Sequence, residues 1–230
     1  DGDVDVLSAS YNDDTVAWYE NEGSRAFSER VITTLADGAL SVFAIDVDRD
    51  GDVDVLSASS NDDTVAWYEN DGSQSFTERI ITTLADYAHS VFAIDMDGDG
   101  DVDVLSASCW DDTVAWYEND GSKSFSEHII TTLADTVFSV FATDVDGDGN
   151  ADVLSASAND DTVAWYENDG SQSFTVRVIT TLADVAVSVY AIDVDGDGDV
   201  DVLSASWQDD TFAWYENDGS QSFTEQIIST

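Results

Sequence analysis

Apolar and polar positions along the chain follow a strand rhythm that restarts every 49 residues. One full cycle runs SVFAIDVD from Ser41, VDVLSAS from Val53, TVAWYEN from Thr64 and FTERIITT from Phe76. Each run is rich in Val, Ile, Thr, Phe, Trp or Tyr, and clusters of Asp, Asn, Gly and Ser separate the runs, which is the composition of short strands joined by turns. No window carries the 3.6-residue spacing of a useful helix. The string DGDVDVLSAS begins at Asp1, Asp50, Asp99 and Asp197, with DGNADVLSAS at Asp148, and no insertion or deletion interrupts the period.

Four short strands per unit, repeated in tandem, predict an all-β fold, a β-propeller of five four-stranded blades. A stacked β-solenoid is the rival, but its coils are shorter, and a hairpin such as WYENDGSQSF suits antiparallel blades. The reading is a single repeat domain, 1–230, with units 1–40 (partial), 41–89, 90–138, 139–187 and 188–230. The first unit opens inside an aspartate loop, so its blade is expected to lack the innermost strand. The chain, opening on Asp1, reads as a processed or partial one.

Charge changes the picture next. Fifty acidic residues face six Lys and Arg, a formal net charge of -44. Nucleic acid is excluded as a partner because it demands a basic footprint. No apolar stretch approaches the roughly 20 residues of a membrane helix, so membrane insertion is not expected. A single cysteine, Cys109, permits no internal disulfide.

Much of the acid is organised. The loops DVDRDGDVD (46–54), DMDGDGDVD (95–103), DVDGDGNAD (144–152) and DVDGDGDVD (193–201) place carboxylates at loop positions 1, 3, 5 and 9 around a glycine at position 6. Hard cations of calcium size take oxygen ligands at such spacing. Position 7 would use its backbone carbonyl, which is why Asn150 is tolerated there. An EF-hand is excluded, because that motif needs Glu at position 12, where Ser57, Ser106, Ser155 and Ser204 stand. The pairs Asp13/Asp14, Asp62/Asp63, Asp111/Asp112, Asp160/Asp161 and Asp209/Asp210 are assigned to hairpin turns.

The DxDxDGxxD loop between the first two strands of each unit resembles the calcium-binding FG-GAP or VCBS repeat, the propeller unit of integrin α subunits, many secreted bacterial proteins and fungal lectins. Literal Phe-Gly and Gly-Ala-Pro elements are absent, so the resemblance is to the calcium propeller in general. It implies about one Ca2+ per complete loop, four in all. The implied ligand groups are Asp46, Asp48, Asp50, Asp52 and Asp54; Asp95, Asp97, Asp99, Asp101 and Asp103; Asp144, Asp146, Asp148, Asn150 and Asp152; and Asp193, Asp195, Asp197, Asp199 and Asp201.

LSAS, DDT and AWYEN occur in all five units, whereas two stretches vary. They lie between the second and third strands and between successive units, and an up-and-down blade brings both to the face opposite the aspartate loops. Tyr11, Tyr87, His89, Trp110, Phe138 and Trp207 are the candidate ligand contacts there. The invariant Trp18, Trp67, Trp116, Trp165 and Trp214 read instead as packing residues. Nothing resembles a nucleophile, base or open metal position placed once in the chain, so catalysis is not expected. The leading expectation is a calcium-stabilised, extracellular or cell-surface binding or adhesion module for a glycan or protein. The alternative is a structural repeat protein that self-associates by completing its open blade with a strand from another chain.

Overall fold

A computed structural model of the protein describes residues 3–23 and 26–229. The described residues form 19 strands in five antiparallel sheets and no helix. Blade 1 holds β1 (Val6–Ser10), β2 (Thr15–Asn21) and β3 (Phe27–Thr33). Blade 2 holds β4 (Ala39–Ile45), β5 (Asp54–Ser59), β6 (Thr64–Asn70) and β7 (Phe76–Thr82). Blade 3 holds β8 (Ala88–Ile94), β9 (Asp103–Ser108), β10 (Thr113–Asn119) and β11 (Phe125–Thr131). Blade 4 holds β12 (Val137–Thr143), β13 (Asp152–Ser157), β14 (Thr162–Asn168) and β15 (Phe174–Thr180). Blade 5 holds β16 (Ala186–Ile192), β17 (Asp201–Ser206), β18 (Phe212–Asn217) and β19 (Phe223–Ser229). Strand order within every sheet follows chain order, so each blade is a simple meander. The architecture is that of a propeller of five blades whose first blade has three strands, as the repeat phase predicts.

Burial explains the strand sequences. β5, β9 and β13 are buried at every position, because neighbouring blades cover both faces. Trp67, Trp116 and Trp165 are fully buried between blades, which confirms their packing role; removing such a side chain from water contributes about 2–3 kcal/mol. Tyr68 and Tyr117 are buried beside them, their hydroxyls paired with Ser57 at 3.3 Å and Ser106 at 3.2 Å. Outermost strands are amphipathic, with Ile80, Ile129 and Val178 half exposed.

The first strands of blades 2 to 5 stand side by side. Their aromatic residues form a ladder, with ring centres 4.8 Å apart for Phe43–Phe92, 4.7 Å for Phe92–Phe141 and 4.7 Å for Phe141–Tyr190. Successive blades are also tied by hydrogen bonds, for the Val91, Val140 and Val189 amides donate to the Ser41, Ser90 and Ser139 hydroxyls of the preceding blade.

The second aspartate of the turn pair in blades 2, 3 and 4 has a job that the sequence did not disclose. Asp63, Asp112 and Asp161 adopt a left-handed backbone (φ 56–57°). Their carboxylates accept the Tyr87, Thr136 and Val185 amides at 2.8–2.9 Å, fastening the connection to the next blade. The turn assignment holds, with this clamp added.

Candidate metal loops and candidate ligand face

Each aspartate loop leaves a first strand and enters a second, and local hydrogen bonds shape it. In blade 2, Asp46 accepts the Gly51 amide, Asp48 the Asp50 amide and Asp50 the Asp52 amide. Every one of these carboxylates thereby spends one oxygen on the loop backbone; the second oxygen of Asp48 meets Lys123. Gly51, Gly100, Gly149 and Gly198 sit at φ 94–101°, a region that side chains disfavour, which lets the loop fold back on itself.

Carboxylate oxygens converge as a result. Asp46/Asp48/Asp50, Asp95/Asp97/Asp99, Asp144/Asp146/Asp152 and Asp193/Asp195/Asp197 each bring three oxygens within 4.8 Å of one another. Opposed oxygens around a cation of calcium size, bound at 2.3–2.6 Å, are about that far apart. Asp46 Oδ1 is buried and has no hydrogen-bond partner, an orphan of the kind that a cation would satisfy. The donor set, all hard oxygen, fits such an ion, and these four clusters could hold metal ions.

Position 9 has a further task, and in the third loop its Asp152 takes the place of Asp148 in the cluster. Asp54, Asp103, Asp152 and Asp201, at position 9, are buried. Asp54 accepts the Val47 amide at 3.0 Å and the Asn70 amide at 2.8 Å, bolting the loop to the third strand, and the other three repeat this. At position 7, Asp52, Asp101, Asn150 and Asp199 pass beneath Gly72, Gly121, Gly170 and Gly219 of the neighbouring turn, where a Cβ would lie 2.4–2.8 Å from their side chains. Asp148 accepts the Asn150 amide, in the same way as its counterparts.

Electrostatics follow from this crowding. Burial pushes the Asp103 and Asp152 carboxyls up to about 6, against the opposing effect of their backbone hydrogen bonds. Burial, with the like charges of their loop neighbours, also raises Asp97 and Asp146. Two cations enter the loops of blades 2 and 3. Lys123 Nζ, from the blade 3 turn, lies 2.6 Å from Asp48 Oδ2 and 2.5 Å from Glu69 Oε1. Arg49 reaches Asp101 at 3.5 Å. At the blade 4–blade 5 joint the equivalent contact is neutral, Gln221 Nε2 donating to Asp146 Oδ2 at 3.0 Å. Sequence reasoning missed this cross-blade contact, whose signal is Lys123 in a column that otherwise reads Arg25, Gln74, Gln172 and Gln221.

On the opposite face the structure brings three of the six candidate contacts together. Tyr87 and Trp110 stack with ring centres 4.7 Å apart and an interplanar angle of 17°. Trp110 is 71% exposed. Tyr11 is a neighbour of Tyr87, and its hydroxyl faces Asn61 Oδ1 at 3.4 Å. Burial, then Tyr11, raises the Tyr87 phenol. The group crosses blades 1 to 3. His89 and Phe138 lie within β8 and β12 and pair with each other instead, ring centres 4.6 Å apart, with His89 Nδ1 2.7 Å from the Phe138 carbonyl. Trp207, 73% exposed, occupies the matching turn of blade 5.

Two solved structures share the architecture. A protein from Lactobacillus plantarum is similar at a TM-score of 0.69 and 15% identity, over 100% of this chain and 69% of that one. A functionally unknown protein from Desulfotomaculum acetoxidans gives 0.66 and 15%, over 98% of this chain and 65% of that one. An Agrocybe aegerita lectin that recognises non-reducing terminal N-acetylglucosamine gives 0.46 and 15%, over 98% and 80%. No curated protein matches the chain. The FG-GAP-like repeat family matches residues 1–57, 46–106, 95–155, 144–204 and 193–230, covering the chain from end to end in five overlapping matches. The chain therefore belongs to the FG-GAP-like repeat family.

Proposed function

We propose that the protein is a calcium-stabilised, non-catalytic binding module that acts outside the cell or at its surface and holds a glycan or protein ligand on the face opposite the aspartate loops. The stacked, exposed Tyr87–Trp110 pair beside Tyr11 carries this reading. Flat aromatic surface in a pre-set orientation offers contact area to a sugar ring or an apolar side chain at small entropic cost. Neighbouring Asn61, Asp86 and Asp111 add hydrogen-bonding groups at the rim. Calcium, when bound in the loops, would neutralise their mutual repulsion. Loops this acidic and exposed suit the ~0.1–1 mM affinities of extracellular modules, which supports that location.

The test is a titration of the calcium-loaded protein against a glycan panel and candidate cell-surface proteins, followed by tryptophan fluorescence. A genuine ligand is expected to bind the Trp110→Ala variant roughly tenfold more weakly or worse, since aromatic anchors are worth upwards of ~1.4 kcal/mol. Ligands that bind Trp110→Ala and Tyr87→Ala as tightly as the parent would dismiss this face. Calcium is tested separately. Chelator is expected to lower the melting temperature substantially, and a melting curve indifferent to chelator refutes the structural role of the metal.

A further inference from the structure

Among the described residues, the lysine and arginine side chains lie away from the ligand face. Arg30, Arg79 and Arg177 pair with Glu20, Glu69 and Glu167 across neighbouring strands. Lys123 and Arg49 sit at the aspartate loops. Arg25 lies outside the described residues. His89 stands near the face, but its ring meets the Phe138 carbonyl and burial lowers its pKa, which keeps it neutral. Aspartates of the turns and connections therefore give this face a negative field with no cation to balance it.

One place on the face combines that field with exposed apolar surface. The turn that carries Trp110 and Asp111 is flanked by two blade connections, residues 84–87 and 133–136. Backbone hydrogen bonds hold the three together: the Cys109 and Trp110 amides donate to the Tyr87 and Asp86 carbonyls, and the Ala134 amide donates to the Asp112 carbonyl. Each connection presents a leucine, Leu84 at 74% and Leu133 at 84% exposure. Asp63 and Asp112 are engaged in clamping the connections. Asp86 is not: burial and the like charges of Asp63 and Asp111 raise its carboxyl, with no hydrogen bond to oppose them. The Tyr87–Trp110 stack occurs once, because the same places hold Gly38 and Asn61, Thr136 and Asn159, and Val185 and Gln208 at the other joints.

Resting on the reading of this face as the ligand face, we propose that the patch receives a basic, extended segment of a partner protein, whose arginine or lysine lies on the Trp110 ring near Asp86 and Asp111 while its apolar side chains cover Leu84 and Leu133. A cation over an indole ring is attracted by the ring's quadrupole, and nearby carboxylates add to that attraction. Acidic sugars are repelled by the same field. A second copy of the chain is a poor occupant, since it carries six Lys and Arg against fifty acids. A neutral sugar would use the ring but gain nothing from the charge.

The probe is a capped peptide of sequence GLRLRLG, titrated by calorimetry into the calcium-loaded protein at ~0.15 M salt. Saturable one-to-one binding is expected. Replacing both arginines by citrulline, which keeps the shape and removes the charge, should weaken binding roughly tenfold or more, as should Trp110→Ala. Asp86→Asn combined with Asp111→Asn should do the same. Glu78→Gln combined with Glu127→Gln, which removes equal charge from the exposed outer strands, should leave binding unchanged. Equal loss in these two charge-matched variants would mean attraction to net charge alone and would overturn the proposal. So would equal affinity for the citrulline peptide, or no saturable binding at millimolar peptide. The ligand-face reading fails or stands separately: a neutral glycan that binds the parent and is lost in Trp110→Ala upholds that reading, even where a failed arginine peptide overturns this one.

Discussion

Lys123 stands where units 2, 4 and 5 carry glutamine, and its ammonium already contacts Asp48 of the blade 2 loop and Glu69 of β6. A fixed positive charge about 5 Å from a bound divalent ion opposes it by up to ~1–2 kcal/mol in water-like dielectric. Lys123→Gln is therefore expected to tighten one of the calcium sites by roughly three- to tenfold, read by calorimetric titration, with the remaining sites unchanged. Arg49 adopts φ 60° where the other loops carry Gly98, Gly147 and Gly196. Its half-exposed ion pair with Asp101 contributes little. Arg49→Gly should accordingly be neutral or stabilising by up to about 1 kcal/mol in a denaturant melt. Tyr68 and Tyr117 make the pH statement, since burial pushes both phenols up to about 12 from an ordinary value of 10. A raised pKa in the folded state favours the neutral form, so their stabilisation is complete below pH 10 and lost as pH climbs through 12. Absorbance of phenolate is expected to lag the exposed tyrosines and to rise together with loss of sheet circular dichroism.

At the scale of the element, the aspartate loop and the turn beside it form one unit. Gly121 (φ 70°) lies over Asp101, and a Cβ there would fall 2.5 Å from its carboxylate. Gly121→Ala is expected to cost about 1–2 kcal/mol, from the left-handed backbone and the displaced side chain, visible as a lower denaturation midpoint. Strand number, order and blade phase were legible in the sequence because a two-residue alternation and a fixed period leave few alternatives. Positions 1, 3 and 5 of the loop were legible for the same reason. Position 9 was legible as an acid, but its bonds to Val47 and Asn70 depend on a strand 16 residues away. The clamp from Asp63 to Tyr87 likewise joins residues 24 apart. His89 and Phe138 were grouped with the connections by their variability, and only the register places them inside strands. Contacts across a blade joint, such as Lys123 to Asp48, are set by packing geometry that no local pattern encodes.

At the scale of the whole molecule, protection is expected to follow burial. β1 is only half buried where β5, β9 and β13 are fully so, and amides of Val6–Ser10 are expected to exchange with solvent faster than those of Asp103–Ser108. Equal protection of the two strands would contradict this ranking. The joints farther along repeat one backbone tie: Val91, Val140 and Val189 each reach a serine fifty residues earlier. Lifting out one period, such as residues 90–138, would therefore bring together two surfaces that already fit. Whole-period additions or losses are expected to preserve these ties and to give a longer or shorter arc. A change of any other length destroys a joint, so selection on this protein tolerates copy number far more readily than it tolerates a single inserted residue.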